Sequence, residues 1–149
     1  MSSQPGKLMT LDKTDAKVQN LIKVATAARE LAYVPYSKFK VGCALLTDKG
    51  NIYTGCNVEN ASFGLAICAE RTAITKAVSE GDRHFVSLAV VSEMTGPCQS
   101  VAPCGACRQF IHEFGVKNDI LIYCYNISTN EVLEITSPEL LPWGFRLIE

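Results

Sequence analysis

Apolar residues recur along the chain with two different periods, which separate helices from strands. Between Asp12 and Ala32 they return every three or four positions, as in a helix that packs one face on a core. Pro35 ends this helix. The apolar run Val41–Leu46, the turn residues that follow it and the second run Ile52–Val58 predict a β-hairpin.

The rest of the chain alternates predicted helices and strands, with glycine or proline at the boundaries. The predicted order is a helix over Cys68–Ser79 ending at Gly81, a strand over Phe85–Ser92, a loop over Glu93–Pro103, a helix over Cys104–Phe114 closed by Gly115, a strand over Ile120–Tyr125, a strand over Val132–Ile135 and a short helix opened by Pro138.

The strands Phe85–Ser92 and Ile120–Tyr125 are separated by a helix, so we expect them to lie parallel with a right-handed crossover. The sequence therefore predicts an α/β fold with three layers, α/β/α, around a mixed five-stranded sheet. A single domain is expected over residues 1–149, with residues 1–11 as a flexible tail.

Composition narrows the class of protein. A net charge of −1 gives no basic surface for nucleic acid, and the polar first residues and short apolar runs predict neither a secretion signal nor a membrane span. We therefore expect a cytoplasmic protein whose seven cysteines stay reduced. Of these, Cys43, Cys56, Cys98 and Cys124 are expected to be small buried hydrophobes.

The other three cysteines form two short clusters, Cys68-Ala69-Glu70 and Cys104-Gly105-Ala106-Cys107. Both fall at predicted helix starts, where free N–H groups and the helix dipole stabilise thiolates. Cys104 and Cys107 share one helical face, and Cys68 arrives from the other helix. Three thiolates without an evident fourth ligand predict a catalytic zinc with one position left for water.

Two charged residues beside Cys68 fit that zinc. A glutamate in the first turn of a helix usually accepts hydrogen bonds from the free N–H groups there. Next to a zinc ion that keeps one position for water, however, Glu70 is the expected proton shuttle. Arg71 is expected to donate to a ligating sulfur from outside the metal shell. Cys-x-Glu followed by Pro-Cys-x-x-Cys, with the glutamate outside the shell, is the order found in zinc deaminases.

Several stretches of the chain resemble one family, the small homotetrameric cytidine deaminases of the cytidine/deoxycytidylate deaminase superfamily. The stretches are Pro35–Phe39, Gly55–Ser62, Cys68–Ala73, Pro103–Gln109 and Glu139–Pro142. The resemblance implies hydrolysis of cytidine and deoxycytidine to uridine and deoxyuridine plus ammonia, in pyrimidine salvage. It also implies a nucleoside substrate, no nucleic-acid or membrane partner, and a homotetramer whose active sites are shared between subunits.

The same resemblance assigns residue roles. Cys68, Cys104 and Cys107 hold one Zn²⁺ per subunit, while Glu70 carries a proton from the activated water to N3 of cytosine and then to the departing amine. The remaining roles are backbone contacts of Ala69 and Cys104 to the base edge, ring packing by Phe39, ribose binding by Asn57 and Glu59, contacts of Ala61 and Phe63 to a neighbouring site, and an aromatic lid at Phe145.

Some positions depart from the family pattern. Lys40 stands where proline is frequent, Phe63 stands where tyrosine is frequent, and the usual Gly-Pro is missing after Phe145. A carboxylate at Glu59 should repel a phosphate, so CMP is expected to be a poor substrate.

Two other hypotheses remain open at this point. One is a non-catalytic module in which a further cysteine closes a structural zinc site. The other is a deaminase of a different target, such as a polynucleotide, a nucleotide or an aminonucleoside antibiotic like blasticidin.

Overall fold

Strands and helices alternate along most of the chain in the computed structural model, which describes residues 4–96 and 101–147. The elements are β1 (Lys7–Thr10), α1 (Ala16–Arg29), β2 (Gly42–Thr47), β3 (Ile52–Cys56), α2 (Ala69–Ser79), β4 (Phe85–Ser92), α3 (Gly105–Glu113), β5 (Leu121–Asn126), β6 (Glu131–Thr136) and α4 (Ser137–Leu140). The predicted helices and strands are thus present, with bounds shifted by a few residues.

One mixed sheet carries the described strands in the order β1-β6-β5-β4-β2-β3. β4 and β5 run parallel with α3 as their connection, and the other neighbours are antiparallel. This confirms the predicted α/β fold and the parallel pair. The sheet has six strands among the described residues, so the predicted count of five is wrong.

The additional strand is β1, which lies inside the predicted flexible tail of residues 1–11. It pairs with β6 from Lys7↔Glu134 to Thr10↔Glu131. The backbone ladder holds this segment although most of its side chains are exposed. Hydrophobic patterning gives no signal for such an edge strand, and residues 1–3 of the predicted tail lie outside the described part.

Alternation of side chains along each strand divides the core into two layers. On one face Cys43, Leu45 and Val90 pack with α2, α3 and α4. On the other, Ala44 and Val91 pack with α1. These are the two outer layers of the predicted α/β/α arrangement.

Two glycines let the helices approach the sheet closely. A Cβ on Gly42 would meet backbone atoms of Ala25 and Arg29 in α1, and a Cβ on Gly55 would meet those of Ala69 and Ala73 in α2. Gly55 therefore fixes how near the first turn of α2 lies to β3.

The non-cluster cysteines only partly match the prediction. Cys43 and Cys124 are buried, as expected, but Cys56 at the end of the edge strand β3 is only partly buried, and Cys98 lies outside the described residues. Within residues 4–96 and 101–147, no helix combines the length and apolar character that a bilayer crossing requires.

Candidate active site

The N-termini of α2 and α3 meet at a group of three cysteines. Cys68 is the N-cap of α2, Cys104 is the N-cap of α3, and Cys107 lies in the first turn of α3. Their Sγ atoms all lie within 4.8 Å of one another, and those of Cys68 and Cys104 are 3.8 Å apart. The fold thus brings together the three residues that the sequence predicts as metal ligands.

Charge in this group is unevenly shared between the sulfurs. The neighbouring Cys107 thiol and Arg71, which donates from Nη2 to Cys68 Sγ at 3.4 Å, lower the pKa of Cys68 to about 5. The hydrogen bond to Cys68, burial and the nearby Glu70 raise the pKa of Cys107 far above its ordinary value. A thiolate at Cys68 therefore disfavours ionisation of the Cys107 thiol, and a bound cation is needed for all three cysteines to be thiolates together.

The sulfur geometry fits zinc. A tetrahedral zinc with Zn–S bonds of about 2.3 Å places its sulfurs about 3.8 Å apart. This is the separation of Cys68 and Cys104. Among residues 4–96 and 101–147 the group contains no fourth His, Cys, Asp or Glu ligand, which is typical of a catalytic site and not of a structural one.

Glu70 lies in the first turn of α2 and is only 4% exposed. Burial, reinforced by negative charge at Cys68, raises the pKa of its carboxyl to about 7, although its bonds to a backbone N–H and to Cys107 act in the opposite direction. A carboxyl with this pKa can both accept and release a proton near neutrality.

A cavity of about 350 Å³ opens beside Glu70. It lies where β4 ends, so it is at the carboxyl end of the parallel strand pair, the usual place for a ligand in an open α/β sheet. Its lining residues are Phe39, Val41, Asn57, Cys68, Ala69, Glu70, Val90, Ser92, Met94, Val101, Ala102 and Cys104.

Asn57 and Glu59 fasten the loop that carries Phe39. Asn57 accepts the N–H of Val41 at 2.8 Å and donates to the carbonyl of Phe39 at 2.8 Å. Glu59 accepts from the N–H and the hydroxyl of Ser37, and that hydroxyl accepts the N–H of Phe39 at 3.0 Å. Phe39 and Asn57 line the cavity, whereas Glu59 does not.

Besides Glu59, three other residues predicted to contact substrate do not line this cavity. Ala61, Phe63 and Phe145 are exposed and do not line it, although Phe63 makes an edge-on ring contact with Tyr36 at 5.5 Å. In a single chain these side chains face outward.

Sequence reasoning missed the apolar wall of the cavity. Val41, Val90, Met94 and Val101 line it. Val41 and Val90 belong to apolar runs that are typical of ordinary core strands, whereas Met94 and Val101 fall in the predicted loop Glu93–Pro103. The available signal was positional, since these residues come at strand ends or just before the second cysteine cluster.

Comparisons with known proteins agree with this geometry. The family described as "Cytidine and deoxycytidylate deaminase zinc-binding region" matches residues 15–124. A cytidine deaminase of Sporosarcina psychrophila is 51% identical over 86% of this chain and 90% of its own length. One from Halalkalibacterium halodurans is 52% identical over 85% of this chain and 92% of its own length.

Solved structures show the same likeness. The crystal structure of cytidine deaminase from Burkholderia pseudomallei superimposes with a TM-score of 0.77 at 49% identity and covers 85% of this chain and 98% of that chain. With the cysteine group, the buried glutamate and the fold in place, the chain belongs to the cytidine and deoxycytidylate deaminase family.

Proposed function

We propose that this protein is a zinc-dependent cytidine deaminase that hydrolyses cytidine and deoxycytidine to uridine and deoxyuridine with release of ammonia, in pyrimidine salvage. The observation that carries the proposal is a buried carboxyl, Glu70, beside three clustered cysteines at the wall of a nucleoside-sized cavity. About half of the residues are shared with the cytidine deaminases named above.

Cys68, Cys104 and Cys107 would hold one zinc ion per subunit, and the ion would supply the charge that lets three thiolates coexist and a water molecule ionise near neutral pH. The convergent N-termini of α2 and α3 and the guanidinium of Arg71 reduce the negative charge of the thiolates.

Glu70 moves the proton in this proposal. With a pKa near neutrality it takes one proton from water and delivers it to N3 while the water oxygen bonds to C4 of the cytosine ring. It then takes the second proton from the new C4 hydroxyl and gives it to the amino group, so that the C4–N bond breaks, C4=O forms and ammonia leaves. Its burial keeps bulk water from exchanging the proton during the reaction.

The cavity lining suits an uncharged ring. Val41, Val90 and Val101 supply apolar walls and Phe39 offers a ring face. Ala69 and Cys104, at the starts of α2 and α3, also line the cavity, and their backbone groups would bind the base edge. The remaining N–H hydrogen and oxygen lone pair of Asn57 and the carboxylate of Glu59 serve the sugar hydroxyls, and Glu59 disfavours a 5′-phosphate.

The exposed apolar residues support a homotetramer. Tyr33, Phe63 and Leu65 are each more than half exposed, and Trp143 is 96% exposed. Apolar surface of this extent is typical of subunit contacts. We propose that a second subunit covers it and that Ala61, Phe63 and Phe145 complete a neighbouring site across this contact.

An ultraviolet assay of the purified protein tests the proposal with cytidine, deoxycytidine, CMP, blasticidin S and single-stranded RNA, together with zinc per chain. We expect turnover of both nucleosides, little turnover of CMP and one zinc per chain. Turnover of blasticidin S or RNA without turnover of cytidine would show that cytidine is not the substrate and that the compound turned over is. A zinc-loaded protein inert toward all five would favour a structural zinc.

A further inference from the structure

Asn126 ends β5 next to the point where β4 gives way to the loop before Cys104. Its side chain is buried. The amide oxygen accepts the N–H of Met94 at 3.1 Å and that of Ser128 at 3.1 Å, and the amide nitrogen donates to the carbonyl of Met94 at 3.0 Å. One side chain thus binds both backbone polar groups of a single residue.

These two bonds continue the sheet beyond its last backbone pair. The parallel ladder reaches Ser92↔Asn126, and the N–H of Ile127 donates to the carbonyl of Ser92 at 3.0 Å. Past that point the Asn126 amide takes the place of a neighbouring strand for Met94. The backbone of Met94 is therefore fixed in position, unlike that of an ordinary loop residue.

Met94 is part of the cavity wall. It lines the cavity together with Val101 and Ala102, on the loop that leads to Cys104, and it packs partly buried against the core. Its backbone is bound from behind by Asn126, which does not line the cavity.

We propose that Asn126 is a positioning residue for the pyrimidine pocket: by pairing with the backbone of Met94 it holds the Met94 side chain at the wall against which the base packs. This inference rests on the proposed function. Because the wall contacts the base before and during reaction, its loss should weaken substrate binding more than it slows chemistry.

The chemistry of the two bonds specifies asparagine. Aspartate has the same shape and could still accept the N–H of Met94, but it cannot donate to the carbonyl, and its charge would face that oxygen. Asn126→Asp should therefore raise KM for cytidine and Kd for the product uridine by about tenfold, the effect of roughly one lost hydrogen bond. kcat should change by less than about threefold, and zinc per chain should not change.

Asn118→Ala is the matched control. Asn118 donates from its amide to the backbone carbonyl of Phe85 at 3.2 Å, at the opposite end of the β4/β5 pair. It should lower the melting temperature without changing KM or the Kd of uridine. If Asn118→Ala changed KM as much as Asn126→Asp, the effect would reflect general loosening of the sheet and the inference would be wrong.

A double-mutant cycle with Met94 isolates the mechanism. Met94→Ala should raise KM by itself, Met94→Leu should keep it near the wild-type value, and Asn126→Asp should add less than about twofold in the Met94→Ala background. Full additivity would overturn the proposal. If Asn126→Asp did not fold, an unchanged KM and Kd in Met94→Ala would overturn it instead.

The outcomes separate this inference from the proposed function. Wild type that does not deaminate cytidine would overturn the function. Wild type that does so, with unchanged KM and Kd in Asn126→Asp, would overturn only the role of Asn126.

Discussion

Two buried carboxyl groups at opposite ends of α2 have opposite electrostatic surroundings. Glu70 and Asp82 are each 4% exposed. Bonds from Lys49 at 2.6 Å, Asn51 at 2.8 Å and Tyr53 at 2.9 Å lower the pKa of Asp82 to about 2. Burial raises the pKa of Glu70 to about 7.

This difference in pKa gives Asp82 a structural role and Glu70 a chemical one. Asp82 is fully supplied with donors, so its charge is fixed and it ties the end of α2 to the β2–β3 turn and β3. Glu70 lies where burial outweighs the donors, so its proton can move. The same small exposed fraction therefore goes with two different depths: Asp82 lies near the surface among its donors and acts as a structural anchor, whereas Glu70 lies deep, where desolvation dominates, and can exchange its proton.

Replacing Glu70 should have the largest effect. Glu70→Gln keeps the shape of the side chain but cannot act as a base. In the proposed mechanism Glu70 protonates both N3 and the leaving amine, and since such proton-transfer groups contribute about 10²–10⁴-fold, we expect kcat to fall at least about 10³-fold. Zinc per chain and the melting temperature should be retained. A variant with substantial kcat would place the proton shuttle elsewhere.

Gly55 and Gly42 extend the comparison to helix packing. An added Cβ at Gly55 would lie 2.6 Å from the nitrogen of Ala73, and one at Gly42 would lie 2.5 Å from the nitrogen of Arg29. Both Ala substitutions should cost about 1–3 kcal/mol of stability by overpacking.

Only Gly55→Ala should displace the cysteine group, because α2 carries Glu70 and is capped by Cys68, whereas Gly42 is next to the wall residue Val41 alone. We expect its kcat/KM or zinc affinity to fall about 10- to 100-fold, as when groups that support metal ligands are moved. Thermal unfolding and zinc titration of both variants measure this. Equal zinc affinity in the two would show that the first turn of α2 tolerates displacement.

The two carboxyl groups also differ in how well sequence could predict them. Glu70 is recognisable because its neighbours Cys68 and Arg71 are local and their spacing carries chemical meaning. Asp82 looks like a loop aspartate after Gly81, and its partners Lys49, Asn51 and Tyr53 lie about thirty residues earlier along the chain. Only the packing of α2 on β3 brings them together.

The local pattern of apolar residues predicted most of the fold, because it depends on neighbours in sequence and not on distant contacts. Helices and central strands bury a periodic apolar face, which sequence displays. β1 is held by backbone pairing to β6 with exposed side chains, so no periodicity marks it. The wall residue Met94 was likewise missed, because its position depends on the distant Asn126.

Asp82→Asn should reverse the pattern of Glu70→Gln. The variant loses the charge that attracts Lys49 and weakens the bonds from Asn51 and Tyr53, so its melting temperature should fall. kcat for cytidine should stay at the wild-type value, since the site lies at the other end of α2. A loss of activity in folded Asp82→Asn would show that Asp82 affects catalysis from the far end of α2, and its role would then not be purely structural.

The pH dependence of stability gives the smallest effect. Folding lowers the pKa of Asp82 from its ordinary 3.8 to about 2, so the folded state favours the ionised carboxylate. Its stabilising contribution is complete above about pH 4 and is lost as the pH falls through about 2.

The stability difference between wild type and Asp82→Asn should therefore be constant from neutral pH down to about 5 and then shrink with acidification. Urea unfolding at a series of pH values measures it, and any loss of zinc in acid is common to both proteins and cancels in the difference. Asp48→Asn, at an exposed aspartate in the neighbouring turn, is the control and should differ little from wild type. A difference that stayed constant into acid would mean that Asp82 stabilises the fold through its shape and neutral bonds, and its contrast with Glu70 would not be one of charge.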